Sequence, residues 1–134
     1  MEDTPGEKKI LLKKILLIDD DNMFQNVVTY MLKDIYTVFT SNSGKEALIM
    51  LIKDKPDLIL LDILMPEMDG WETFHKIKGI SVLQHVPIAF LTSLSEEEGV
   101  KRAKGLGAAD YFIKPLSKKD FIERVGKIIK GANK

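Results

Sequence analysis

The chain contains five short apolar runs that are rich in β-branched residues, and a segment with helical spacing follows each run. The runs are KILLI (14–18), IYTVFT (35–40), DLILL (57–61), VPIAFL (86–91) and DYFI (110–113). Short apolar runs of this kind are typical of strands, whereas longer segments with apolar residues every three or four positions are typical of helices. The pattern therefore predicts five strands that alternate with five helices.

The predicted helices have recognisable faces and starts. In the first helix, apolar residues at helical spacing form a stripe that should pack on a sheet: Phe24, Val27, Val28, Met31 and Leu32. Three later helices begin with the spacing of a capping box: Ser43 with Glu46, Ser95 with Glu98, and Ser117 with Asp120. The third helix is expected from about Asp69 to Gly79.

The alternation also predicts the arrangement of the strands. Strands joined through helices are parallel, and right-handed connections place helices on both faces of the sheet. The runs at 14–18, 57–61 and 86–91 are almost continuously apolar, as central strands should be, whereas YTVFT alternates and indicates an edge strand. An α/β fold with a doubly wound, five-stranded parallel sheet in the order 2-1-3-4-5 is the prediction.

Composition and charge narrow the range of functions. The 134 residues are 45% hydrophobic and 30% charged, which is typical of one globular domain, here expected over 14–131 after a flexible tail at 1–13. Twenty basic and twenty acidic residues give no net charge, so we expect neither a nucleic acid nor a membrane as partner. Cysteine is absent and the N-terminal residues are polar, so we expect a cytoplasmic protein without disulfides.

Polar residues follow four of the predicted strands at their carboxyl ends. They are Asp19 and Asp20 after the first, Asp62 after the third, Thr92 after the fourth, and Lys114 with Pro115 after the fifth. In a doubly wound sheet these ends share one edge, with a crevice between the first and third strands. Three carboxylates in one crevice repel each other unless a cation lies among them, and oxygen donors suit Mg²⁺.

This set of residues suits phosphoryl chemistry. Mg²⁺ keeps water ligands and commonly binds a few carboxylates together with a phosphate. Thr92 and Lys114 could neutralise phosphoryl oxygens, and Asp62 could be the nucleophile that forms an aspartyl-phosphate. Each feature also has a structural explanation, since an aspartate run can cap a helix and MPEMDG is a turn sequence. Their position at the same end of consecutive strands favours the functional explanation.

Four motifs, ILLIDDD, LILLDILMPEMDGWE, PIAFLTS and GAADYFIKPL, together resemble the receiver domain of two-component response regulators, over about Lys14 to Lys130. The resemblance, to stand-alone, chemotaxis-regulator-like members, implies a flavodoxin-like fold. It implies that Asp62 accepts a phosphoryl group from the phosphohistidine of a sensor histidine kinase or a phosphotransfer protein. Mg²⁺ (or Mn²⁺) would bind Asp20, Asp62 and the backbone carbonyl of Leu64, with Asp19 supporting the ion. Asp21 is then the additional aspartate.

The resemblance further implies a switch. Thr92 would bind a phosphoryl oxygen and move, Lys114 would contact the phosphoryl group through a loop with a cis bond to Pro115, and Tyr111 would change rotamer. The fourth helix, fifth strand and fifth helix would then bind a downstream protein. Basic residues expected on that surface could contact an acidic partner: Lys101, Arg102, Lys104, Lys118 and Lys119.

Alternatives to this hypothesis differ in fold or in chemistry. HKIKG (75–79) faintly resembles the motif of histidine phosphotransfer proteins, although we interpret His75 and His85 as ordinary residues. A haloacid dehalogenase-like phosphatase would carry a second aspartate where this chain has Leu64, so we expect no enzyme that turns over external substrates. A pseudo-receiver, a protein interaction module independent of phosphorylation, is the remaining alternative. Because Leu64 and Leu94 are apolar where fast dephosphorylation favours polar groups, the resemblance predicts a long-lived phosphoryl state.

Overall fold

A computed structural model describes residues 12–132 and contains the predicted alternation of strands and helices. The strands are β1 (Lys14–Ile18), β2 (Thr37–Ser41), β3 (Leu58–Leu61), β4 (Ile88–Thr92) and β5 (Asp110–Ile113). The helices are α1 (Asn22–Leu32), α2 (Gly44–Lys53), α3 (Gly70–Lys78), α4 (Glu97–Gly105) and α5 (Lys118–Ala132), with a short 3₁₀ turn at Ser81–Leu83. Most of the predicted tail, 1–11, lies outside the described residues.

All five strands pair in parallel, in the order β2-β1-β3-β4-β5, which confirms the predicted topology. Every residue of β3 and β4 is buried, whereas only the last residue of β2 is. The continuous apolar runs therefore mark central strands and the alternating run marks an edge, because central strands of a parallel sheet are covered on both faces.

Two hydrophobic cores lie on the two faces of the sheet. Alternate residues of each strand point to opposite faces, so neighbours such as Ile15 and Leu16 belong to different cores. One core contains Trp71, Phe74 and Phe90, with ring centroids of Phe74 and Phe90 5.4 Å apart. Packing on both faces fixes the strand ends relative to one another, and the site depends on those ends. Within the described residues, no helix is long and apolar enough to cross a membrane.

In α1, the predicted contact of Val27 is wrong, and Asp21 has a structural role. Its buried residues are Gln25, Val28 and Leu32, whereas Val27, assigned to the apolar stripe from the sequence, is exposed. A periodic stripe wider than the contact surface leaves its margin in solvent. Asp21 caps the helix, because its side chain accepts hydrogen bonds from the amides of Met23 and Phe24.

The helices α2, α3 and α5 begin where the sequence predicts, and α4 does not. Ser43 caps α2 by accepting from the Glu46 amide, and Asp69 caps α3 by accepting from the Glu72 amide, with Gly79 as the C-cap of α3. Helix α5 begins at Lys118, directly after Ser117. The box of Ser95 and Glu98 does not form, because α4 begins one residue later, with Glu96 at the cap position and no side-chain capping bond. Glu97 and Glu98 then lie in the first turn, where the helix dipole favours negative charge.

Two strands are also displaced from their predicted bounds. The run predicted at 35–40 forms a strand only from Thr37, since Ile35 and Tyr36 close the turn after α1 with amides that both donate to the Leu32 carbonyl. The run predicted at 86–91 pairs from Ile88 to Thr92, because the proline at 87 has no amide to donate to a neighbouring strand. The shift makes Thr92 the last residue of β4.

Candidate functional site

The site lies where β1 and β3 end side by side. Asp19 follows β1 directly and its amide donates to the Ser41 carbonyl over 3.0 Å. Asp62 follows β3 directly and its amide donates to the Ile18 carbonyl over 2.9 Å. These bonds continue the sheet ladder by one residue, so the backbone beneath both carboxylates is as well fixed as the strands themselves.

Three carboxylates converge at this edge, as the sequence predicted. Each of Asp19, Asp20 and Asp62 offers an oxygen that lies within 4.8 Å of the other two. Asp19 and Asp62 are buried, and Asp20 is exposed. Burial strengthens the repulsion between such charges because little water separates them. These three carboxylates could hold a cation that prefers hard oxygen donors, with the side of Asp20 open to solvent.

Lys114 supplies positive charge to the cluster. Its Nζ atom lies 2.8 Å from Asp19 Oδ2 and 3.6 Å from Asp62 Oδ2. It also lies 4.1 Å from the ring centroid of Phe24, which attracts a cation over its face. The peptide bond from Lys114 to Pro115 is cis, as the resemblance implied. One ammonium against three carboxylates leaves two negative charges, which a divalent cation would balance.

The pKa of Asp62 is raised above its ordinary value. Burial is the largest cause, followed by the charge of Asp19. Lys114, the hydroxyl of Thr92 and the amide of Leu64 act in the opposite direction without cancelling the rise. The ionised Asp62 is therefore a high-energy group in this site when no cation is present, because its surroundings favour the protonated form.

Thr92 and Tyr111 are joined through one residue, Leu94. The Leu94 amide donates to Thr92 Oγ1 over 3.3 Å, and the Leu94 carbonyl accepts a 2.6 Å hydrogen bond from the Tyr111 hydroxyl. Thr92 is fully buried, and Tyr111 is half-buried with a pKa raised by burial and by the charges of Glu96 and Asp62. The structure thus connects the site to the surface of β5 by two hydrogen bonds.

The loop after Asp62 depends on a close approach at Gly70. The Gly70 amide donates to the Ile63 carbonyl over 2.9 Å, and a Cβ atom at this position would overlap the carbonyl oxygen of Asp62. The MPEMDG turn therefore requires glycine for steric reasons. Within the same loop, the Leu64 amide donates to Asp62 Oδ1 over 3.3 Å while its side chain is 53% exposed.

Sequence reasoning missed Gln25. This buried side chain donates from Nε2 to the carbonyl of Asp19 (2.6 Å), to the carbonyl of Ser41 (3.2 Å) and to Asn42 Oδ1 (2.7 Å). It thereby ties the end of β1 to the end of β2 under the carboxylates. A polar residue three before Val28 on the buried face was the available signal, because buried amides require hydrogen-bond partners.

The five basic residues assigned to the readout surface lie on α4 and α5, and three of them have contacts with neighbouring side chains. All are exposed. Lys101 pairs with Glu97, Arg102 stacks 4.3 Å from the Trp71 ring centroid, and Lys118 lies 5.7 Å from the ring centroid of Tyr30 on α1. His75 and His85 are exposed residues away from the carboxylates, as expected of ordinary histidines.

Comparisons with known proteins agree with this architecture. The family model described as response regulator receiver domain matches residues 15–126. "Probable transcriptional regulator ycf27" of Porphyra purpurea is 35% identical over 123 residues, 91% of this chain and 49% of that protein. The alkaline phosphatase synthesis transcriptional regulatory protein PhoP of Bacillus subtilis (strain 168) is 36% identical over 119 residues, 88% of this chain and 49% of that protein.

Solved structures show the same likeness. The chemotaxis protein CheY4 of Vibrio cholerae aligns with a TM-score of 0.81 at 29% identity, covering 87% of this chain and 98% of that one. The chain spans about half the length of the first curated relatives it matches. The parallel sheet and the family match exclude a helical histidine phosphotransfer bundle. The chain belongs to the family of response regulator receiver domains.

Proposed function

We propose that this receiver domain is a phosphoryl-accepting signalling switch in which Asp62 is the acceptor. One observation carries the proposal: the Asp62 carboxylate is buried at the edge where Asp19, Asp20, Thr92 and Lys114 also meet. The donor is the phosphohistidine of a sensor histidine kinase or a phosphotransfer protein, and the phosphorylated form binds a downstream protein differently. The identity of these protein partners and a cytoplasmic location are also parts of the proposal.

The residues fit a divalent cation. Asp19, Asp20 and Asp62 provide hard oxygen donors within 4.8 Å of one another, and the two uncompensated negative charges match Mg²⁺ or Mn²⁺. Asp20, Asp62 and the carbonyl of Leu64 would hold the ion, with Asp19 supporting it. When bound, Mg²⁺ would offset the carboxylate charges and withdraw negative charge from the phosphoryl oxygens.

The chain's own residues then support an in-line displacement. A carboxylate oxygen of Asp62 attacks phosphorus, the bond from phosphorus to the histidine nitrogen breaks, and the imidazole leaves. The raised energy of the ionised Asp62 favours attack, because the reaction removes that charge from the carboxylate. The Thr92 hydroxyl and the Lys114 ammonium would bind the phosphoryl oxygens, which carry the charge in the transition state.

The surroundings of Asp62 favour a slow loss of the phosphoryl group. Leu64, two residues after the acceptor, is an exposed apolar side chain, and Leu94, two residues after Thr92, packs against the hydrophobic core. Neither side chain can orient or deprotonate water. The domain would therefore hold a phosphoryl group and hydrolyse it slowly, and it would not turn over external substrates as an enzyme does.

A structural change caused by phosphorylation of Asp62 would be transmitted to the protein surface through Leu94. A phosphoryl group that draws the Thr92 hydroxyl toward it would alter the bond from the Leu94 amide, and Leu94 also holds the Tyr111 hydroxyl. The population of Tyr111 conformations then depends on the state of Asp62. The surface of α4, β5 and α5 around Tyr111 is where we expect a downstream protein to bind.

Intact mass spectrometry tests the proposal. The protein is incubated with acetyl phosphate and Mg²⁺, with Asp62→Asn as the test variant and Asp21→Asn as the matched control. Asp21 caps α1, a role that asparagine also performs, so the control should fold normally. We expect one phosphoryl adduct on the parent and on Asp21→Asn, and none on Asp62→Asn or in excess EDTA. No adduct on the folded parent would favour a phosphorylation-independent interaction module instead.

A further inference from the structure

Gly99 lies where α4 approaches the Tyr111 hydroxyl. It is buried in the first turn of the helix, and a Cβ atom added there would lie 3.1 Å from Leu94 Cδ2 and 3.2 Å from Tyr111 Oη. Both distances are shorter than ordinary contacts between such atoms, which are about 3.5–4.0 Å. An alanine at 99 would therefore require the side chain of Leu94 or Tyr111 to shift by a few tenths of an ångström.

The backbone gives no other reason for glycine at this position. Gly99 has ordinary helical geometry, and among the described residues Gly107 is the glycine with a positive φ angle. A glycine inside a helix costs stability relative to alanine because it has more conformational freedom to lose. What the position offers in return is space beside the Tyr111 hydroxyl.

That hydroxyl holds a specific place. It donates to the Leu94 carbonyl over 2.6 Å, and the Tyr111 ring centroid lies 6.2 Å from that of Phe90 in the core. The Leu94 amide meanwhile donates to Thr92 Oγ1. A side chain that pushes the Tyr111 hydroxyl away from the Leu94 carbonyl would lengthen and weaken this hydrogen bond between the site and β5.

We propose that Gly99 is a positioning residue: its missing Cβ admits the Tyr111 hydroxyl to the Leu94 carbonyl and sets how fully Tyr111 occupies this inward position. The seating of Tyr111 rests on the contacts alone, whereas its consequence for phosphorylation rests on the proposed function. The size of the side chain at position 99 thereby determines the balance between two conformations of Tyr111: the inward one, hydrogen-bonded to the Leu94 carbonyl, and an outward one without that bond.

Gly99→Ala tests the proposal, with Gly105→Ala as the matched control. Gly105 ends the same helix, and nothing lies within 4 Å of a Cβ added there. Both variants gain helix propensity, but only the first meets Tyr111. Access of a soluble paramagnetic probe to each tyrosine ring is measured by NMR, with exposed Tyr30 and buried Tyr36 as internal references. Tyr111→Phe assigns the Tyr111 signals.

We expect Gly99→Ala to raise the accessibility of Tyr111 above the parent value, and Gly105→Ala to leave it at the parent value. Equal accessibility in Gly99→Ala and the parent would overturn the proposal, as would an equal rise in both variants. A double-mutant cycle on the free energy of unfolding provides the second measurement. Gly99→Ala should be less destabilising in the Tyr111→Phe background, because the contact with Oη is gone. Additive effects would overturn the proposal.

Phosphorylation separates this inference from the proposed function. If the parent forms the phosphoryl adduct, Gly99→Ala should form it more slowly than Gly105→Ala does. The reason is that the Leu94 residue bonded to Thr92 is held less firmly by Tyr111 in Gly99→Ala. Equal rates would overturn the link between Gly99 and the acceptor site. An absent adduct on the parent would count against the proposed function, while the tyrosine accessibilities would still decide how Gly99 acts on Tyr111.

Discussion

The ammonium group of Lys114 lies 2.8 Å from the Oδ2 atom of Asp19, a residue with no exposed surface, and is less close to Asp62. The ammonium group therefore stabilises the Asp19 carboxylate most directly and leaves Asp62, the proposed acceptor, only partly compensated. This division of charge is consistent with the raised pKa of Asp62, because Asp19 and burial together outweigh the effect of Lys114.

Lys114→Met should destabilise the metal-free domain. Asp19 would remain buried without its cation, and removing one partner of a buried ion pair costs about 3 kcal/mol. Urea unfolding in EDTA measures the loss, and added Mg²⁺ should recover part of it. Lys101→Met is the control, because its pair with Glu97 is exposed and should be worth no more than about 0.5 kcal/mol. Equal losses in the two variants would contradict the charge arrangement.

Asp62→Asn should stabilise the domain near neutral pH when no divalent cation is present. The pKa of Asp62 is higher in the folded state, so between its unfolded and folded pKa values the native protein binds more protons and stability falls as pH rises. We expect a gain on the order of 1 kcal/mol at pH 7. The gain should shrink below about pH 3.5, where the carboxyl is protonated in both states.

Denaturant unfolding at both pH values checks this prediction. Because asparagine cannot ionise, Mg²⁺ should stabilise the parent more than it stabilises the variant. A variant that is less stable than the metal-free parent at neutral pH would show that Asp62 is not under electrostatic strain.

Gly70→Ala should disrupt the loop that follows Asp62. A Cβ atom would overlap the Asp62 carbonyl oxygen and lie 2.6 Å from the Ile63 Cα atom, and backbone atoms cannot rotate away. We expect a loss of about 2 kcal/mol or more, as for other overpacked sites. Gly79→Ala, at the other end of α3, places its Cβ no closer than 3.4 Å to another atom. Thermal unfolding should separate the variants, and similar effects would contradict the steric role of Gly70.

Leu64→Asn should shorten the lifetime of the phosphoryl group. An amide beside the acceptor could orient water, and a hydrogen bond worth about 1 kcal/mol in the transition state corresponds to roughly fivefold in rate. Decay of the adduct after removal of acetyl phosphate gives the rate. Ile49→Asn on α2 is a control of matched exposure, 54% against 53% for Leu64. An unchanged rate in Leu64→Asn would remove the proposed reason for slow decay.

Much of the fold could be predicted because continuously apolar strands are stable only where both faces of the sheet are covered. A strand such as LILL at Leu58–Leu61 can be apolar throughout only if both faces of the sheet are covered, and that fixes it in the centre. The carboxylate cluster then follows from topology, since parallel strands direct Asp19 and Asp62 to the same edge. Neither inference needs the position of an individual side chain.

The remaining features depend on competition that the sequence does not reveal. Ser95 has suitable spacing for a cap, but α4 starts at Glu97 with Glu96 at the cap position and no side-chain capping bond. Lys114 could have paired with either buried aspartate, and its distances to the two carboxylates differ by less than an ångström. Gln25 looks like a polar interruption of α1 until the carbonyls of Asp19 and Ser41 are placed beside it.

The most direct test of the central claim is to locate the phosphoryl group. The protein is phosphorylated with acetyl phosphate and Mg²⁺, reduced with sodium borohydride, and analysed by peptide mass spectrometry, because borohydride converts an aspartyl-phosphate to homoserine. We expect homoserine at position 62 and at no other aspartate. Homoserine at Asp19, Asp20 or Asp21, or no conversion in a protein that carries the adduct, would contradict the assignment of Asp62 as the acceptor.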